Sequence, residues 1–96
     1  MKFELPIIDF EKDEIIKKYE RNYLPTDMYI RTRELSEVAA DLSDKEMLAA
    51  LCDLYIHVFP GLTEEEFWQH TDPAFVLQVY RDLLTKSTKI VSSKNA

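Results

Sequence analysis

The sequence predicts a mainly α-helical domain of three longer helices and one short helix, with a short N-terminal β-hairpin as the preferred reading of the first quarter. Three observations carry this. Apolar residues recur at helical intervals through separate stretches of the chain. Helix-start chemistry precedes the later stretches: Ser43 with Glu46, Thr63 with Glu66, and Asp72 with Pro73. The 96 residues are 46% hydrophobic and 11% aromatic, enough to close one modest core and too few for two domains.

In the N-terminal quarter, Phe3 and Leu5 alternate with Lys2 and Glu4 ahead of Pro6, which cannot donate to a ladder and so favours an edge strand. Ile15, Ile16, Tyr19 and Tyr23 fit a helix by spacing, yet Ile15, Tyr19 and Tyr23 also share one face of an extended segment. Period does not arbitrate. The reading adopted is two strands joined by a turn at residues 11–14.

From Thr26 to Leu42 the residues Met28, Leu35, Val38, Ala39 and Leu42 form an apolar stripe, with Arg31, Arg33, Glu34, Glu37 and Asp41 mainly between them. Pro25 suits the start of this helix, and Asp27 suits its positive end. The capping box Ser43 to Glu46 opens a second helix over roughly residues 44–58. Its apolar residues, Met47, Leu48, Leu51, Cys52, Leu54, Tyr55, Ile56 and Val58, cover more than one stripe, so the helix should be central. Pro60 and Gly61 end it. Thr63 and Glu66 then open a short helix carrying Phe67 and Trp68. Asp72 and Pro73 start the last one, where Val76, Val79, Tyr80 and Leu83 fall at i, i+3, i+4 and i+7. Residues 1–86 read as a single helical domain, and residues 87–96, rich in Ser and Lys, as a flexible basic tail.

The chain carries 12 Lys and Arg against 18 Asp and Glu, a formal charge of −6, which argues against broad binding to nucleic-acid phosphates. One cysteine cannot form an internal disulfide, and no apolar run approaches the roughly 20 residues that span a bilayer. The expected setting is therefore the cytoplasm, with no membrane partner. A single glycine excludes a Gly-rich phosphate loop.

Catalytic and metal-binding patterns are not evident. Cys52 and His57 are five residues apart, so on a helix they diverge by about 140° and form no local nucleophile–base pair. His57, His70 and Asp72 lack a spacing that prepositions a metal. Glu64, Glu65 and Glu66 are read as first-turn charge with a capping box, and Arg31 and Arg33 point apart on their helix. The expectation is a protein that is not an enzyme and needs no cofactor or metal.

The order of elements resembles the small tail assembly chaperones of long, non-contractile-tailed bacteriophages and related prophages. The resemblance covers most of residues 1–86. It rests on a short strand region leading through Tyr23-Leu-Pro25 into a helix containing Arg31-Thr-Arg-Glu-Leu35, then an acidic, apolar helix ending Tyr55-Ile-His-Val-Phe59. The segment Pro60-Gly-Leu-Thr-Glu-Glu-Glu-Phe67 and a terminal helix through Val79-Tyr-Arg-Asp-Leu-Leu84 complete it. The resemblance implies a non-enzymatic factor in the host bacterial cytoplasm that binds the tape-measure protein and keeps its apolar helices soluble. It also implies recruitment of tail-tube protein, homo-oligomers, and absence from the mature virion. The alternative is a helical adaptor or regulator of another intracellular protein. On either reading the aromatic residues Tyr55, Phe59, Phe67, Trp68 and Tyr80 are the expected partner contacts.

Overall fold

A two-stranded antiparallel hairpin lies against four helices. The computed structural model describes residues 2–95, with side chains described for residues 2–85. Its order is β1 (Phe3–Asp9), β2 (Glu14–Arg21), α1 (Thr26–Val38), α2 (Asp44–Val58), α3 (Glu64–Gln69) and α4 (Pro73–Asn95). This is the mainly α domain with an N-terminal hairpin that the sequence predicts.

Alternation decides how the hairpin sits. Phe3, Leu5 and Ile7 project from one face of β1 into the core, and β1 packs on α4. Cross-strand pairing of Phe3 with Arg21, Leu5 with Tyr19 and Ile7 with Lys17 puts those three β2 residues on the same inner face. Between Ile7 and Ile8 the register shifts, leaving Ile16 as the extra residue of a bulge. The turn spans residues 10–13, one place earlier than expected. Asp9 Oδ1 accepts from the N–H groups of Glu11 (3.0 Å) and Lys12 (3.2 Å), and Asp13 takes the left-handed conformation that closes the turn.

The helix starts are local hydrogen-bond chemistry. Glu46 N–H donates to Ser43 Oγ (3.2 Å) while Ser43 N–H donates back to Glu46 Oε1 (2.9 Å). The same exchange joins Thr63 and Glu66, and Ala74 N–H donates to Asp72 Oδ1 (2.7 Å) at the head of α4. Each spares donors that a bare helix end leaves unsatisfied.

Helix α1 is shorter than its apolar stripe. It ends at Val38, and residues Ala39–Asp41 tighten into a 3-10 turn in which Leu42 N–H donates to Ala39 O (3.2 Å). Met28 is buried, Leu35 is half-buried, and Val38 points to solvent. The helix instead encloses Thr32, whose hydroxyl donates to Met28 O (2.8 Å), so its polar group is satisfied within its own helix. Helix α2 is central as expected: Leu51, Cys52, Leu54, Tyr55 and Val58 are buried and join Phe59, Leu62, Phe67, Val76, Val79 and Leu83 in one core.

The backbone of α4 continues to Asn95 through the stretch read from composition as a flexible tail. The side chains of residues 86–95, and Ala96 entirely, lie outside the described residues. No helix among those described is long and apolar enough to cross a membrane.

Gly61 terminates the α2 exit with φ = +94°, and a Cβ there would meet only Tyr19 Cε1, at an ordinary 3.7 Å. Backbone strain alone should therefore set the cost of Gly61→Ala, about 1–2 kcal/mol. Urea unfolding should show this as a lower midpoint with an unchanged slope.

Candidate functional site

The sequence-predicted contact residues divide by depth. Tyr55, Phe59 and Phe67 are enclosed, at 0%, 1% and 3% exposure, and Tyr80 is half-buried. Tyr55 meets the edges of Phe59 (centroids 6.1 Å apart, 86°) and Phe67 (5.8 Å, 71°), forming the aromatic centre of the core. These three rings pack inside the domain, and Phe67 reaches the surface only as lining of a hollow beside Trp68. Expected from the sequence as partner contacts, they lie instead within the domain's own core, because periodicity marks an aromatic residue as facing inward without saying whether another element already covers it. Trp68 is the member of the set that stays open, with 48% of its surface exposed.

Trp68 stands at the end of an apolar trough between α2 and α4. One hollow of about 120 Å³ is lined by Leu48, Phe67, Trp68, Thr71, Pro73 and Val76. The adjoining hollow, about 240 Å³, is lined by Asp44, Met47, Leu48, Pro73 and Leu77. Leu48 and Pro73 line both, so the two hollows lie side by side on this face. Each is smaller than the roughly 300–1,000 Å³ usual for a small-molecule site. The local sequence explains the trough. Pro73 at the first turn of α4 brings that helix in beside α3, and Leu77 follows one turn later on the same side. Met47 and Leu48 occupy the first turns of α2 just after the Ser43 cap. The floor is polar-satisfied, because the Thr71 hydroxyl donates to Phe67 O.

Under the trough the Cys52 thiol lies against the Trp68 indole. Burial pushes its pKa up, and the Glu64 and Asp53 carboxylates push it further, so it remains a protonated thiol at neutral pH. Trp68 also meets the edge of Phe67 at 5.2 Å, which fixes the base of its exposed ring.

A second cluster joins the hairpin to α3. Lys17 Nζ lies 2.7 Å from Glu66 Oε2, and the Tyr19 hydroxyl donates to Glu66 Oε1 (2.6 Å) with Gly61 O at 3.2 Å. Arg21 Nη1 donates to Val58 O (3.1 Å). Burial opposes ionisation of Glu66, but hydrogen bonds from Lys17, Tyr19 and the Thr63 N–H outweigh it and hold the carboxyl down at about 2. The same contact with Glu66 raises the pKa values of Lys17 and Tyr19. Glu66 is thus a permanently ionised fastener, unsuited to moving protons near neutral pH. Sequence reading found its capping role and missed its long-range one. The signal for the latter was the i, i+2, i+4 set Lys17, Tyr19 and Arg21 on one strand face.

The remaining candidates are engaged locally. His57 Nδ1–H donates to Asp53 O (2.9 Å), and His70 Nδ1–H donates to Ile8 O (3.2 Å) while His70 O accepts from Ile8 N–H (2.7 Å). His70 thereby covers the free edge of β1 opposite β2. Asp72 caps α4, and Arg31 pairs with Asp53 (2.9 Å) at the surface. Among the described residues, no three His, Cys, Asp or Glu side chains gather as a metal-binding group. Comparisons with protein-family models, curated proteins and solved structures return no match.

Proposed function

We propose that this domain is a protein-binding assembly factor, a tail assembly chaperone that covers apolar helices of a phage tape-measure protein before the tail tube is built around them. The observation that carries the reading is the open Trp68 trough on a domain whose other expected contact rings are enclosed or half-buried. A large aromatic ring left half in water beside Leu48 and Pro73 suits a partner that completes its burial. The resemblance in element order, running from Tyr23-Leu-Pro25 through the terminal helix, supplies the identity of that partner. Recruitment of tail-tube protein and self-association belong to the same proposal. So does a cytoplasmic site of action. The adaptor reading shares the trough and differs only in the protein bound.

The test is co-expression with a phage tape-measure protein, taken from the gene downstream of this one where that gene encodes a long coiled-coil product. The long coiled-coil product should be soluble with this chain and insoluble without it. Trp68→Ala should weaken co-purification by about tenfold or more, as expected for loss of a central aromatic contact, while the variant still shows a cooperative thermal melt above the assay temperature. A tape-measure protein equally insoluble in both cases would reject the chaperone assignment.

A further inference from the structure

We infer that the Trp68 trough receives one face of an amphipathic helix whose apolar stripe is bordered by Lys and Arg. This rests on the protein-binding reading above and deepens it by stating the chemistry of the segment bound.

The trough has the form a helix requires. Its two adjoining hollows run side by side, one holding Trp68, Phe67 and Val76 and the other Leu77 and Met47, with Leu48 and Pro73 shared between them. Side chains at i, i+3, i+4 and i+7 of a third helix can enter such a channel in the way amphipathic helices enter apolar grooves. An extended strand would need a free sheet edge for its backbone, and the elements on this face are helices.

Charge sets which helix. Residues 44–80, which supply every lining residue, contain seven Asp and Glu against the single cation Lys45, with both histidines besides. One carboxylate lines the trough and two more stand on the elements that flank it. Asp44 lines one end, Asp72 caps α4 next to Pro73, and Glu64 is one helical turn before Trp68 and close enough to act on Cys52 beneath it. None of the three is held by an ion pair comparable to that of Glu66 among the described residues. Arg81, a turn beyond Leu77, is directed to Gln78 at 3.4 Å. A helix flanked by cations would meet complementary potential along its length, and one flanked by carboxylates would meet repulsion.

The experiment uses the full chain and two synthetic helices of about 18 residues, five turns, sharing one Leu stripe and differing only in flanking Lys or flanking Glu. Trp68 is the single tryptophan, so its emission reports occupancy directly. The Lys peptide should shift the emission and bind at least about tenfold more tightly than the Glu peptide, a gap that narrows as salt is raised. Leu77→Asp should abolish the shift while leaving the circular dichroism melt in place. Equal affinity for the two peptides, absence of binding, or binding that survives Leu77→Asp would overturn the inference. A concentration-dependent dimer broken by Leu77→Asp would overturn it too, by making a second copy the occupant. The two proposals fail separately: tape-measure protein still solubilised by Leu77→Asp removes the trough as its site and leaves the chaperone reading standing. Lys-peptide binding without any tape-measure association does the reverse.

Discussion

Tyr55→Ala is expected to remove about 3–5 kcal/mol of folding stability, the range for deleting a large enclosed aromatic ring. Tyr55 is fully buried, and its ring touches both Phe59 and Phe67 edge to face, so truncation opens a cavity at the point where α2, α3 and α4 meet. Its hydroxyl donates to Val76 O at 2.6 Å, which ties the middle of α2 to α4. A domain of this size has roughly 5–15 kcal/mol to lose, so the variant should sit near the edge of folding at 37 °C. Tyr55→Phe separates the two contributions. It keeps the packing and loses the hydrogen bond, for a smaller loss of about 1 kcal/mol. Urea titration of both variants is the measurement. Equal losses would mean that the hydroxyl, rather than the ring, secures α2 to α4. The pair also guards the binding experiments, because loss of partner capture in Tyr55→Ala would report unfolding, whereas Trp68→Ala would report the surface.

Glu66→Gln is expected to cost about 2 kcal/mol at neutral pH, the scale of a hydrogen bond to a charged group, and to flatten the acid limb of the stability curve. The carboxylate serves three elements at once: it caps α3 through the Thr63 N–H, accepts from Tyr19 and pairs with Lys17 on β2. Its folded pKa of about 2 lies below the ordinary carboxylate value near 4.5. A depressed folded pKa means that the unfolded chain takes up the proton first as pH falls. The stabilisation is therefore fully present above about pH 4.5 and is lost as pH drops from there toward 2. The difference in unfolding free energy between wild type and Glu66→Gln should accordingly be constant from pH 7 to 5 and shrink below 4.5. Taking the difference cancels the other carboxylates, including Glu46, whose pKa the Ser43 hydrogen bonds also lower. A difference independent of pH from 7 to 3 would show that the ionised form contributes nothing special. Lys17→Ala should have the smaller effect, since its side chain is half in solvent and screened there.

These two residues show how the information in the chain was distributed. The capping role of Glu66 was legible because Thr63 and Glu66 are three residues apart, and any helix beginning there brings them together. Its bonds to Lys17 and Tyr19 span 49 and 47 positions and depend on where the hairpin docks. Tyr55 was legible as an inward-facing residue of a helix too apolar to be peripheral. That Phe59 and Phe67 would close over it, while Trp68, the neighbour of Phe67, would remain open, was not. Adjacent residues on a helix point about 100° apart, and nothing local says which of the two directions is occupied. Thr32 was missed for the same reason, being polar by type and enclosed by position.

The fold class, the three late helix starts at Ser43, Thr63 and Asp72, and the stop at Pro60 and Gly61 follow from the order of residues alone. Each of these is settled by hydrogen bonds and dihedral preferences within about four residues, which are the same in a peptide as in a protein. The early end of α1, the fastening of β2 to α3 through Glu66, and the survival of an apolar trough beside Trp68 follow from long-range packing. Those outcomes depend on how distant elements share a limited volume, and close packing lets a contact between two elements exclude or create space for a third.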